Sequence, residues 1–171
     1  MPDAGARVAR LRVPLGFALG AVALLLARPT WKSLAWGLPL AVAGEMLRVW
    51  ASGHLEKNRE VTASGPYRWT GHPLYAGSAL MGVGLAVASA SPAVWAITAV
   101  YLVVGFGSAI RTEQSYLAEH FADQYRSYRK GAAATAMRTF SLERSLRNRE
   151  YRAVLGLLLA MGLLSLKAAL S

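Results

Sequence analysis

Apolar residues in this chain fall in long blocks, and the polar residues collect between them. Five stretches, from Val13 to Ala27, Leu34 to Trp50, Leu74 to Ala90, Pro92 to Ile110 and Val154 to Leu170, are almost free of charge. Each approaches the roughly 20 apolar residues that a helix needs to cross the hydrocarbon core, with shorter ones served by snorkelling ends or local thinning. The pattern predicts an all-α polytopic membrane bundle of about five spans. With no internal repeat, low-complexity tract or flexible linker, residues 1–171 read as a single domain. Arg7, Arg10 and Arg12 ahead of the first stretch also suit a signal peptide. Four further apolar stretches and no small-x-small cleavage motif favour a retained span.

The polar punctuation refines the elements. Pro92 after Ala88-Ser89-Ala90-Ser91 predicts a tight turn between the third and fourth spans, because proline's missing amide hydrogen falls at an unpaired helix N-terminus. Gly77, Ser78, Gly82, Gly84 and Ala86 on one arm of this hairpin, and Gly105, Gly107 and Ser108 on the other, predict close helix packing. Beyond Arg111, residues Gln114, Leu117, Phe121, Tyr125 and Tyr128 recur at spacings of three and four, as on an amphipathic helix leaving the bilayer. Residues 131–135 are ambiguous. Ser141 to Arg152 reads as a basic interfacial segment leading into the last span.

Composition agrees with a membrane chain: 54% hydrophobic, 16% charged and a mean hydropathy of +0.32. The formal charge of +10 follows sidedness. The N-terminus, the loop between spans two and three and the loop between spans four and five hold three, three and nine basic residues, against Arg28, Lys32 and Lys167 on the opposite side. The positive-inside bias places the N-terminus and both polar loops in the cytoplasm, beside anionic headgroups. This distribution, and the lack of a stacking platform, argue against nucleic acid as a partner. There is no cysteine, and His54, His72 and His120 lack a carboxylate at ligand spacing, so no metal is expected.

The segment Gly65-Pro66-Tyr67-Arg68-Trp69-Thr70-Gly71-His72-Pro73-Leu74-Tyr75-Ala76-Gly77 concentrates turn formers, aromatics and a histidine between two spans. Pro73 drives His72 out of the α-region and holds its imidazole at a break before the third span. Arg111 and Glu113 lie at the end of the fourth span, where a carboxylate can accept from hydroxyl or amino groups and a guanidinium can grip an anion. Glu45 and Arg48, three apart inside the second span, read as an ion pair facing the bundle, costly enough at that depth to be functional suspects. Arg48 and His54 are candidate substrate contacts.

Two motifs in order, bracketing a helical hairpin, resemble the isoprenylcysteine carboxyl methyltransferase and phospholipid methyltransferase family over roughly Arg48 to Lys130. His72, Pro73, Tyr75 and Gly77 match the first motif, after the Gly65-x-Tyr67 turn. Glu113, Leu117, Phe121, Tyr125 and Tyr128 match the second. The chain departs from the pattern at Gly71, where arginine is usual, at Gln114 in place of a second glutamate, at Ala122 in place of glycine, and at Gly131-Ala132 in place of Val-Pro. The resemblance implies a membrane-embedded methyltransferase that binds S-adenosylmethionine in a cytoplasmic-side pocket of loops and the helix after the fourth span. A lipophilic acceptor enters from the bilayer. It also implies cofactor contacts at Tyr67, His72, Pro73, Tyr75, Gly77, Glu113, Tyr125 and Tyr128, with Arg111 and Glu113 catalytic.

Methyl transfer is an in-line displacement in which the protein supplies alignment and excludes water. A carboxylate acceptor is already ionised and needs only a cation such as Arg111. An amine acceptor must first lose a proton, to a base such as Glu113 or His72. The absence of a dedicated base in the sequence favours the carboxylate. Phospholipid N-methylation, a nicotinamide-dependent membrane reductase and a catalytically silent membrane module are the alternatives.

Overall fold

A computed structural model describes residues 16–57, 59–130 and 138–171, and no strand occurs among them. The helices are α1 (Gly16–Leu26), α2 (Trp31–Ser52), α3 (Pro73–Ser89), α4 (Pro92–His120), α5 (Ala122–Arg129), α6 (Leu142–Arg147) and α7 (Tyr151–Ala169), with a short 3₁₀ turn at Gly65–Arg68. Two of them, α4 and α7, are both long and apolar enough to cross a membrane, while α1 and α3 are apolar but shorter. At 1.5 Å per residue the 22 residues of α2 extend about 33 Å, the thickness of a hydrocarbon core. Trp31, Trp36 and Trp95 are exposed towards one end of the bundle and Trp50 and Trp69 towards the other, the arrangement of interfacial aromatic belts.

Helix α2 begins with a capping box in which Thr30 and Ser33 satisfy each other's backbone amides. The Ser33 hydroxyl also donates to the Ala88 carbonyl at 2.9 Å, fixing the start of α2 beside the end of α3. Along the crossing the two backbones touch. A Cβ on Gly37 would lie 2.3 Å from the Ala88 nitrogen, one on Gly44 2.4 Å from the Met81 nitrogen, and one on Gly84 2.3 Å from the Ala41 nitrogen. Gly77 meets the Gly44 carbonyl and the Arg48 stem in the same way. Gly77 and Gly84 of α3 thus serve α2, whereas the sequence suggested packing within the α3–α4 hairpin. Gly82 faces Thr98 and Leu102 of α4 at ordinary distances, and Gly107 faces open space.

The hairpin turns at Ala90, in the left-handed region at φ 48°, and Pro92 opens α4 as expected. Helix α4 carries a π-helical segment at Tyr101–Phe106 and runs unbroken to His120. Phe121 (φ −133°, ψ 39°) interrupts it, so the amphipathic face predicted from Gln114 to Tyr128 is divided between α4 and α5. The ambiguous run at 131–135 lies outside the described residues.

Helix α6 seats on the C-terminal end of α2. Asn148 donates to the Ser52 and Leu55 carbonyls at 2.9 Å each, Arg144 donates to the Gly53 carbonyl, and the Ser52 and Ser145 hydroxyls share a 2.7 Å hydrogen bond. These donors satisfy carbonyls that a helix end leaves without partners. At the opposite end of the bundle Lys167 of α7 donates to the Leu24 and Leu25 carbonyls, capping α1. Gly37→Ala is expected to cost about 1–3 kcal/mol through overpacking. Gly162→Ala, on an open face of α7, should be neutral or add up to about 1 kcal/mol from helix propensity. Unfolding of both variants in one detergent checks this, and equal stabilities would refute the backbone contact.

Candidate active site

Two cavities meet inside the bundle. The more polar one, about 800 Å³, lies between the 55–75 segment and the distal half of α4. Its wall includes Tyr67, His72, Pro73 and Tyr75 from the first motif and Glu113 and Leu117 from the second, so the fold brings both motifs to one chamber. The second, about 560 Å³, is apolar and lies among α1, α3, α4 and α7. Arg48, Ser78, Tyr101 and Phe106 belong to both walls.

His72 stands immediately before α3 in a non-helical conformation (φ −138°, ψ 55°), because Pro73 excludes the α-region and is itself fully buried. Its Nε2 lies 3.1 Å from the Gln114 amide nitrogen, and its Nδ1 is 3.6 Å from a Glu113 carboxylate oxygen. The second distance exceeds a hydrogen bond, and Nδ1 is a buried atom without a hydrogen-bond partner. A neutral imidazole with its proton on Nδ1 suits both neighbours, since Gln114 then donates to Nε2. Gln114, where the family motif has a carboxylate, therefore touches the histidine directly.

An aromatic series leads from the polar chamber to the apolar one. Ring centroids of His72 and Tyr75 are 5.9 Å apart, those of Tyr75 and Phe106 5.2 Å, and those of Phe106 and Tyr101 5.9 Å. Tyr101 and Phe106 bound the π segment, whose extra residue per turn re-aims the helix face beyond it. Such segments are frequent at functional sites. Beyond it, Ala109, Thr112, Glu113, Tyr116 and Leu117 line the polar chamber.

At the junction Arg48 is held from three sides. Its Nη2 is 2.7 Å from Glu150, its Nε is 3.4 Å from Glu45, and its Nη1 donates to the Ser78 hydroxyl. Both carboxylates are buried, at 6% exposure each. The Glu45–Arg48 pair was legible from the i,i+3 spacing, but Glu150 was not assigned. Its signal was an acid set between Arg149 and Arg152 in a basic run, one residue ahead of α7. Ser78, Tyr101 and Phe106 were likewise unassigned, as polar or aromatic residues inside otherwise ordinary spans.

Other expected site residues lie elsewhere. Arg111 is exposed and is not on the wall of either cavity. Gly77 is spent on the α2–α3 crossing. Tyr128 donates its hydroxyl to the Tyr67 carbonyl at 2.7 Å, closing α5 onto the 3₁₀ turn, and Tyr125 is half-buried beside it. Burial, then the Glu113 and Glu150 carboxylates, raise the Tyr67 phenol above its ordinary range, and burial with Tyr125 raises Tyr128, so both stay protonated hydrogen-bond donors. His54 is buried under Gly65, whose positive φ of 57° brings backbone to within contact of the ring, and pairs with the Ser64 hydroxyl at 3.2 Å. Burial, followed by Arg144 and Arg138, lowers its pKa and keeps it neutral. Among the described residues no group of three or more histidines and carboxylates could hold a metal.

Residues 15–124 match the phospholipid methyltransferase family. The chain belongs to that family. It is also similar to the cobalt-zinc-cadmium resistance protein CzcN of Cupriavidus metallidurans, 35% identical over 89 residues, which cover 51% of this chain and 40% of that protein. The chain thus spans less than half the length of that curated relative. No solved structure matches. Membership of a methyltransferase family, with two helices able to span a bilayer, makes the chain a membrane-associated member of that family. The match ends inside α5, so α6 and α7, with Glu150, lie beyond it.

Glu56 joins the loop to α6 through Arg144 at 2.9 Å and Arg147 at 3.0 Å. The hydrogen bond from Arg144, reinforced by the charges of Arg147 and Arg144, holds its carboxyl below the ordinary 4.5. A depressed carboxyl pKa means that this clasp contributes its full stability above about pH 4.5 and loses it as pH falls through the depressed value. Unfolding followed from pH 7 down to about pH 3 should therefore show a decline that is shallower in Glu56→Gln. Parallel curves would refute the assignment.

Proposed function

We propose that the two cavities are the chambers of a membrane-embedded, S-adenosylmethionine-dependent methyltransferase. The cofactor occupies the polar chamber, the lipophilic acceptor the apolar one, and transfer takes place beside Arg48, Ser78, Tyr101 and Phe106. The observation that carries this reading is that these four side chains line both cavities. The residues fit the cofactor: the polar chamber falls in the range of about 300–1,000 Å³ usual for small-molecule sites. It offers the Glu113 carboxylate, aromatic walls from Tyr67, Tyr75 and Tyr116, and a buried imidazole nitrogen without a partner. When bound, S-adenosylmethionine supplies an electrophilic methyl group on sulfonium sulfur.

Each residue then has a task. Glu113 accepts hydrogen bonds from hydroxyl or amino groups, and His72, held by Gln114, presents its free edge to the chamber. Pro73 and the Tyr128–Tyr67 hydrogen bond keep the loop wall in place. Tyr75 and Phe106 separate the chambers and exclude water from the transfer path. The orienting part expected of Arg111 falls to Arg48, the cation that borders both chambers. In this reading the chain crosses the bilayer five times with its N-terminus and polar loops cytoplasmic, as the distribution of basic residues supports, and the polar chamber faces the cytosol.

The charge at the junction bears on the acceptor. A carboxylate would require Arg48 to release Glu45 or Glu150, at the cost of leaving a buried acid unpaired. An amine requires no such exchange and finds a proton acceptor in the Glu113 carboxylate on the polar chamber's wall. The geometry favours a lipid amine over the carboxylate expected from the sequence.

Calorimetry in detergent should show S-adenosylmethionine binding that weakens about tenfold or more, over 1.4 kcal/mol, in His72→Ala and Glu113→Ala, while Arg111→Ala stays near wild type. A folded wild-type protein that does not bind the cofactor sinks the proposal. The chain lacks cysteine, so Ala118→Cys, on an exposed part of α4, reports sidedness alone. Labelling in intact cells by a permeant maleimide but not by an impermeant one is expected, and the reverse result overturns the topology.

A further inference from the structure

We propose that Glu150 decides which head charge the apolar chamber accepts, acting as a positioning residue through Arg48. The proposal rests on the two-chamber reading and adds a residue that lies beyond the stretch matching the family. Arg48 is the one charged side chain on the apolar chamber's wall among the described residues. A free guanidinium at the end of an apolar cavity draws anionic heads, because little water screens it. Here the guanidinium is not free: Glu150 meets Nη2 at 2.7 Å and Glu45 stands 3.4 Å from Nε. Two buried acids against one guanidinium leave the junction without surplus positive charge. The chamber consequently takes a cationic head in preference to an anionic one.

Of the two acids Glu150 holds the closer contact, and it comes from a different helix. Glu45 sits one turn from Arg48 on α2 and accompanies it wherever α2 goes. Glu150 stands at the N-terminus of α7, which also contributes Ala153, Ala160 and Leu164 to the chamber wall. The docking of α7 thus brings together the apolar enclosure and the charge that neutralises its cation. Removing the Glu150 charge frees Nη2 at the border of both chambers.

The test is equilibrium binding of two permanently charged probes, hexadecyltrimethylammonium and hexadecyl sulfonate, to the full chain in maltoside micelles. Wild type should prefer the ammonium by about tenfold or more. In Glu150→Gln the ratio should move at least about tenfold towards the sulfonate. Glu150→Asp should keep the wild-type sign, and Glu45→Gln should shift the ratio the same way by less. If Glu150→Gln does not fold, the Glu45→Gln shift decides. An unchanged ratio in the folded variant, or a wild-type preference for sulfonate, overturns the proposal. S-adenosylmethionine binding is measured beside it in wild type and every variant. Its absence throughout would count against the methyltransferase reading and leave the head-charge result standing.

Discussion

Backbone contact between α2 and α3 is the constraint on which the rest of this structure depends. In lipid no hydrophobic force draws helices together, so association relies on van der Waals contact at close range and on polar links. Gly37, Gly44, Gly77 and Gly84 bring peptide groups of the two helices within reach of each other, and the Ser33 bond to Ala88 sets the register. That register puts Arg48 beside Ser78 and brings the start of α3, with His72, level with the polar end of α2. Without it neither chamber has its shared wall.

The second organising feature is the division of labour along one axis. At one end the bundle is polar, and its loop is fastened by Tyr128, Glu56 and α6. Deeper in, it becomes apolar, with Arg48 at the border. Charge at that depth is accompanied by counter-charge: Glu150 lies 2.7 Å from Nη2, Ser78 accepts from Nη1, and Glu45 stands 3.4 Å from an Nε that has no hydrogen-bond partner. The π segment in α4 lies at the same level, so the helix changes the face it presents where the chambers change character.

Much of this was legible in the sequence. The apolar blocks, the α3–α4 turn at Pro92 and the break at His72 follow from local rules about hydropathy and proline, and α4 and α7 are long enough to span. Both motifs converge on one cavity wall. What was not legible depends on long-range partners. The α3 glycines could have served either neighbour, and only the crossing shows that α2 takes Gly77 and Gly84 while Gly82 faces α4. Arg111 and Glu113 looked equivalent in sequence, yet two residues of helix turn one outward and the other into the chamber. Phe121 disrupts a periodicity that reads as continuous, because spacing alone does not reveal a change in backbone direction. Glu150 was hidden for the same reason: its partner is more than a hundred residues away.

That separation has a consequence for how the chain is made. Helices emerge from the ribosome in order, and Arg48 emerges with Glu45 already one turn away. Its second acid comes only with the last helix, which also supplies the remaining wall of the apolar chamber and, through Lys167, the cap on α1. Without that helix the apolar cavity lacks one wall and Nη2 of Arg48 lacks its acid. Helix α7 therefore works as a lock: one element closes the enclosure, adds the second acid beside Arg48 and tethers itself to α1.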